Sequence, residues 1–176
     1  AQAFVLESCP PLDVVDVDRR DASGLVLAVA VVAAEVVPPF DNSAVDGYAV
    51  RAEDVANVPA ELRVVGELAA GAAPTTALGA GEAIRIMTGA PIPPGADAVV
   101  MVEDSERIGG DVVRLTRSVA AGAAIRCAGD DVQVGDLLFE VGTTITPAVD
   151  AVLASVNAAR VHVYRRPRVA VLSTGD

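Results

Sequence analysis

Lysine is absent from this 176-residue chain, so all thirteen basic residues are arginine. Schiff-base and other lysine chemistry is thereby excluded within it, and an oxyanion must be gripped by guanidinium forks or backbone N–H groups. Tryptophan is missing too, and aromatic residues make up only 3% of a chain that is 52% hydrophobic. The core must then be built from Val, Ala, Leu and Ile, and valine-rich alternating sequence favours strands. Basic charge is scarce: the net charge is −11, with no visible basic face to displace counterions from nucleic acid. The two cysteines, Cys9 and Cys127, lie far apart and form no CxxC pair, which suits free thiols in a reducing compartment. The longest apolar run, Leu25 to Ala34, falls far short of a membrane span, and no basic stretch precedes it as in a signal peptide. A soluble, cytoplasmic protein without nucleic-acid or membrane partners is the expectation.

The chain does contain three polar loops, each at the end of a strand-like segment. The first, Pro39 to Val50, packs Asp41, Asn42, Ser43, Asp46, Gly47 and Tyr48 between apolar stretches. Asx and Ser side chains favour turns, and Gly47 suits a positive φ or close approach of a ligand. The second is Thr88 to Asp97, and the third is Arg126-Cys127-Ala128-Gly129-Asp130-Asp131. Each alone fits a structural turn, with Arg126 pairing on the surface with Asp130 or Asp131. If they converge, Asp46 and Asp131 supply carboxylates for acid–base work or a hard cation such as Mg²⁺. Arg126 and Thr88 supply grips for a phosphate or tetrahedral oxyanion, with Asn42 and Ser43 in support.

Around these loops the pattern predicts mainly strands. Asp13–Asp18 alternates acid and valine, as a half-exposed strand does. Leu25–Val37 suggests one buried strand ended by Pro38-Pro39. Further strands are expected at Tyr48–Arg51, Leu62–Leu68, Ala83–Met87 and Gly135–Phe139, with a small-residue linker at 69–81. Ala98–Glu103 and Asp111–Leu115 suggest a hairpin turning at Gly109-Gly110. Ala1–Ser8 suggests the tail of a helix. Thr146-Pro147 marks a helix start, with Val149, Val152, Leu153 and Val156 on its apolar face and Asn157 at its end. Val161–Tyr164 and Arg168–Leu172 complete the strands. His162, the single histidine, alternates with valines and suits a sheet surface. Glu103, Asp104 and Glu106 suit a solvated face, and Arg165, Arg166 and Arg168 a domain junction.

Several of these stretches resemble the MoeA/gephyrin family of molybdopterin molybdenumtransferases. They are 38–50 (PPFDNSAVDGYAV), 84–91 (IRIMTGAP) with 94–100 (PGADAVV), Ile125-Arg126 with Gly129-Asp130-Asp131, and 166–176 (RPRVAVLSTGD). The resemblance implies an elongated β domain (14–32 and 134–165) that mediates dimerisation. It also implies an inserted β-rich domain (33–133) and, at 166–176, the first strand of a truncated α/β domain that binds molybdopterin. It further implies Mg²⁺-dependent insertion of molybdenum from molybdate into adenylylated molybdopterin, with AMP released. A homodimer and an upstream molybdopterin adenylyltransferase are implied as partners. Asp46 and Asp131 would be catalytic and metal-binding, and Thr88, Arg126, Ser43 and Asn42 substrate-binding. Val45 stands where the family commonly has Met, Asp130 where it has Glu, and Val29-Ala30 where it has an acidic pair. A chain lacking the α/β domain is expected to be inactive alone, leaving a non-catalytic dimerisation or scaffold role as the alternative.

Overall fold

A computed structural model describes residues 2–175. In chain order its elements are α1 (Gln2–Glu7), β1 (Val14–Asp18), β2 (Val26–Leu27), β3 (Val31–Val32), β4 (Asn42–Ser43), β5 (Gly47–Val50), β6 (Ala60–Leu68) and β7 (Glu82–Ile86). They continue with β8 (Ala98–Met101), β9 (Ser105–Gly109), β10 (Val112–Leu115), β11 (Ile125–Arg126), β12 (Leu137–Phe139), α2 (Pro147–Ser155) and β13 (Arg160–Tyr164). The architecture is mainly β. The contacts divide the chain into two units, one from Val37 to Asp131 and one made of Ala1–Val36 with Val132–Asp176.

In the discontinuous unit, β13 lies between β1 and β2, antiparallel to both. Alternation decides which side chains go inward: Val161 and Val163 are buried, while His162 faces out opposite Asp16. Asp16 also binds the Arg160 guanidinium at 2.9 Å. Helix α2 closes this core. The Thr146 hydroxyl accepts from the Val149 N–H at 3.3 Å, Pro147 occupies the first turn, and Asp150 there pairs with Arg19 at 2.6 Å. Leu153 is buried against Leu27, Ile145 and Val163, with Val149 packed on the same core, and Val156 is buried as well. Val152 is 37% exposed and lies off that face. Asn157 ends the helix in the left-handed region, at φ 56°.

Leu25–Val37 is not one buried strand. β2 pairs with β13, and β3 pairs separately with β12, with the chain changing partners in between. Val29 and Val32 are 49% and 52% exposed, which a centrally buried strand would not allow. Residues 165–175 form no strand either. A strand needs a neighbour to satisfy its backbone, and none pairs with this stretch among the described residues. Arg165 binds Asp13 at 3.1 Å, and Arg166 donates to the Ser23 carbonyl at 3.0 Å.

The Val37–Asp131 unit holds a six-stranded mixed sheet in the order β8-β5-β7-β6-β10-β9. Only β6 and β7 are parallel, and residues 69–81 make their crossover without a helix. Leu78, buried, anchors that crossover through an N–H bond to the Pro94 carbonyl at 2.8 Å. One face of the sheet buries Tyr48, Val50, Leu62, Val100, Val113 and Leu115, and the other buries Ala49, Leu68, Ile84, Ile86 and Val99. The hairpin through Gly109-Gly110 joins β9 to β10. β8 instead pairs with β5 at the opposite edge, because Val99 and Val100, covered on both faces, fill both cores.

Candidate functional site

The first loop contributes β4, two residues long and buried in a segment of polar composition. Asn42 donates from Nδ2 to the Phe40 carbonyl at 3.1 Å. Ser43 donates its hydroxyl to the Val45 carbonyl at 2.6 Å and accepts from the Val45 N–H at 3.4 Å. Both side chains satisfy their own turn, and Ser43 is fully enclosed. In this structure they shape the loop, and the Ser43 hydroxyl is not presented to a ligand.

β4 then draws the other two loops in through main-chain bonds. On one side the Gly89 N–H reaches the Ser43 carbonyl at 2.8 Å, the Ser43 N–H reaches the Ala90 carbonyl at 2.9 Å, and the Ile92 N–H reaches the Asp41 carbonyl at 3.0 Å. On the other side β11 pairs antiparallel with β4, placing Arg126 opposite Asn42 and Ile125 opposite Ser43. The Ala44 N–H adds a bond to the Ala124 carbonyl at 2.9 Å. Asp41 locks the third loop again, its Oδ1 accepting from the Ala128 N–H at 2.8 Å. The three polar loops therefore converge on one short strand.

Within this cluster two pairs form. Asp46 Oδ1 accepts from the Thr88 N–H at 2.8 Å and from the Thr88 hydroxyl at 2.7 Å. These bonds hold the Asp46 carboxyl below its ordinary value, first through the backbone donor, then the hydroxyl, with a smaller contribution from the Arg85 charge. Asp46 is thus ionised at neutral pH, and Oδ2 has no hydrogen bond among the described residues. The second pair is an ion pair between Arg126 and Asp131, both about half exposed. Asp130 does not pair with Arg126; its Oδ2 caps the Cys127 N–H at 2.7 Å. No hydrogen bond or ion pair joins the Asp46–Thr88 pair to the Arg126–Asp131 pair among the described residues. Nor do three His, Cys, Asp or Glu side chains there stand close enough to hold a metal ion.

Gly47 does not have a positive φ. A Cβ there would lie 2.0 Å from the Val100 carbonyl oxygen, so the close approach is that of β8 to β5. Two residues near the loops carried no functional expectation from the sequence. Asp41 gave no signal beyond being one more turn former. Arg85 did leave one, a charge set between the buried Ile84 and Ile86 and therefore facing the other side of β7. Its guanidinium carbon lies 5.2 Å from the centre of the Tyr48 ring.

Comparison with known proteins places the fold. The family model of the MoeA N-terminal region (domain I and II) matches residues 1–157. Molybdopterin molybdenumtransferase 2 of Mycobacterium tuberculosis (strain H37Rv) is 42% identical over 178 aligned positions, covering 99% of this chain and 43% of that protein. The molybdopterin molybdenumtransferase of a Nostoc species is 44% identical, covering 91% of this chain and 37% of its own length. The crystal structure of the molybdopterin biosynthesis moeA protein from Pyrococcus horikoshii OT3 superposes with a TM-score of 0.84 at 38% identity, over 94% of this chain and 45% of that one. The chain spans less than half the length of these relatives. With a family model over most of its length and relatives above 40% identity, the chain belongs to the MoeA N-terminal family.

Proposed function

We propose that the chain serves molybdenum cofactor biosynthesis by presenting part of a composite site. There molybdenum from molybdate enters adenylylated molybdopterin and AMP is released. The observation that carries this is the gathering of three polar loops on β4, which exposes Asp46, Thr88, Arg126 and Asp131 on one structural unit. The names of the relatives support molybdenum transfer to molybdopterin, and the adenylylated substrate and the AMP come from the family resemblance. Asp46, ionised and fixed by Thr88, keeps one carboxylate oxygen available to orient a nucleophilic water or a bound cation. Arg126 offers a planar fork that a phosphate or molybdate oxyanion takes from Asp131. Magnesium, as the family resemblance implies, would draw from this chain only single oxygens of Asp46 and Asp131, the rest coming from substrate and other protein regions. Exposed apolar side chains at Val29, Val32, Val134 and Leu137 support a homodimer built on the discontinuous unit. An upstream molybdopterin adenylyltransferase and a cytoplasmic setting belong to the same reading. No helix among the described residues is long and apolar enough to cross a membrane.

A scaffold role has its own support, since Asp46 and Asp131 each already serve an internal contact. The two readings separate on one experiment. Adenylylated molybdopterin is titrated against the chain, and metal insertion is followed after adding the remaining region of the Nostoc relative. Weaker binding by Asp46→Ala and Arg126→Ala, with loss of insertion in Asp46→Ala and Asp131→Ala, supports the enzyme reading. Variants that fold, bind and insert like the parent chain refute it.

A further inference from the structure

A cleft of about 630 Å³ is lined by none of Asn42, Ser43, Thr88, Arg126 or Asp131. It opens on the sheet face that carries Tyr48, running from β5 and β7 across to β9, and it has the size of a small-molecule site. Its cations are Arg85 and Arg107, and its anions are Glu67 and Asp111.

Arg85 and Arg107 are the two arginines of the Val37–Asp131 unit that stand without an ion pair among the described residues. In a chain where acids outnumber bases 24 to 13, most arginines face a carboxylate, as Arg51, Arg63, Arg114 and Arg160 do. Arg85 and Arg107 make no ion pair among the described residues. Arg85 stands beside Glu67 in strand register, yet its guanidinium packs on the Tyr48 ring instead. Stacking covers the face of a guanidinium and leaves its N–H edge free. Tyr48 is almost wholly buried, so the platform beneath Arg85 is fixed. Arg107 comes from the edge strand β9 on the far side of the same cleft. Such an arrangement offers two donor forks without first requiring an internal ion pair to break.

We propose that this cleft is an anion-binding site, in which Arg85 and Arg107 grip a single phosphate-type oxyanion, free or carried on a small organic molecule. Glu67 and Asp111 limit the negative charge the cleft accepts and offer acceptors to the N–H or O–H groups of an attached organic moiety. The cleft includes neither Arg126 nor Asp131; because the Arg85 charge also acts on Asp46, Arg107 is the residue that tests the cleft apart from the function proposed above.

The test is calorimetric or NMR titration of the full chain with inorganic phosphate, AMP and adenosine, at low and at physiological salt. Saturable binding of phosphate or AMP, weakened at least tenfold in both Arg85→Ala and Arg107→Ala and unchanged in Arg160→Ala, an exposed arginine paired with Asp16, is the expected result. AMP binding more tightly than phosphate would identify an organic phosphate as the natural ligand, and equal affinity the free ion. Arg107 lies exposed on an edge strand, so Arg107→Ala keeps the test valid if Arg85→Ala disturbs the Tyr48 packing. Absence of saturable binding overturns the proposal, as does adenosine binding as well as AMP or phosphate affinity that survives Arg107→Ala.

Discussion

Replacing Gly47 with alanine adds one methyl group to β5, and the structure fixes where it goes. The new Cβ would sit 2.0 Å from the Val100 carbonyl oxygen, 2.9 Å from its carbon and 3.2 Å from the Met101 Cα. All three are backbone atoms of β8, so no side chain can swing away. Relief requires the strands to part by roughly 1 Å, against a normal spacing of about 4.8 Å. That opening loosens the Gly47–Met101 pairing and the bond from the Val102 N–H to the Asp46 carbonyl. Two weakened bonds at about 1 kcal/mol each, plus overpacking strain of about 1–3 kcal/mol, give a cost of about 3 kcal/mol or more. Gly66→Ala is the control. No atom lies within 4 Å of its added Cβ and its φ is not positive, so the same methyl should be neutral or stabilise by up to about 0.5 kcal/mol. In a unit of about a hundred residues the difference amounts to some 12 °C or more in melting temperature. Urea unfolding followed by far-ultraviolet circular dichroism, with amide exchange at Val99 and Val100 to isolate this unit, measures it. Variants within about 1 kcal/mol of each other, with those amides still protected, would refute the assignment of Gly47 to strand contact.

Other outcomes are equally specific. The folded Asp46 carboxyl is lowered, so the Asp46–Thr88 contact is fully present above the ordinary carboxylate value of 3.8 and is lost only as pH falls through the lowered one. NMR titration should therefore find the Thr88 amide constant from pH 5 to 8. Thr88→Val should move the midpoint part of the way back toward 3.8, because the stronger backbone donor remains; an unmoved midpoint would show that the hydroxyl contributes nothing. Thr146→Ala should cost the discontinuous unit about 1 kcal/mol by removing the α2 cap, and Thr146→Ser should restore most of it. Leu153→Ala, at a fully buried position, should cost about 2–5 kcal/mol in the same unfolding assay.

What the sequence disclosed follows from where its physical signals are local. β1, β7 and β13 alternate, and alternation survives whichever neighbours a strand finds. The Thr146-Pro147 start of α2 is equally local, since cap and first turn involve only residues 146–150. The failures occur where partner choice is non-local. The pattern of Ala98–Glu103, followed by β9 and β10, suggests part of their hairpin, yet β8 pairs with β5, some fifty residues earlier in the chain. Leu25–Val37 looked like one strand because hydrophobicity does not record a change of partner at Val29-Ala30. Arg168–Leu172 carries a strand pattern, but a pattern makes a strand only where a neighbouring chain accepts its hydrogen bonds.

The same distinction applies to the candidate site. The residue types on the loops were legible because carboxylate, hydroxyl and guanidinium announce themselves. Their convergence was not, because it rests on bonds made by Asp41, Ser43, Ala44, Gly89 and Ala124 through main-chain atoms that any residue possesses. β4 is only two residues long, yet each of its edges is occupied by a different loop. Asn42 and Ser43 earn their place by filling that crowded interior and ending their own polar demands there. The enclosed residues hold the geometry, while Asp46, Thr88, Arg126 and Asp131 stand exposed on it. A variant of Ser43 should therefore disturb all three loops together, whereas a variant of Arg126 should remove one group and leave the frame intact.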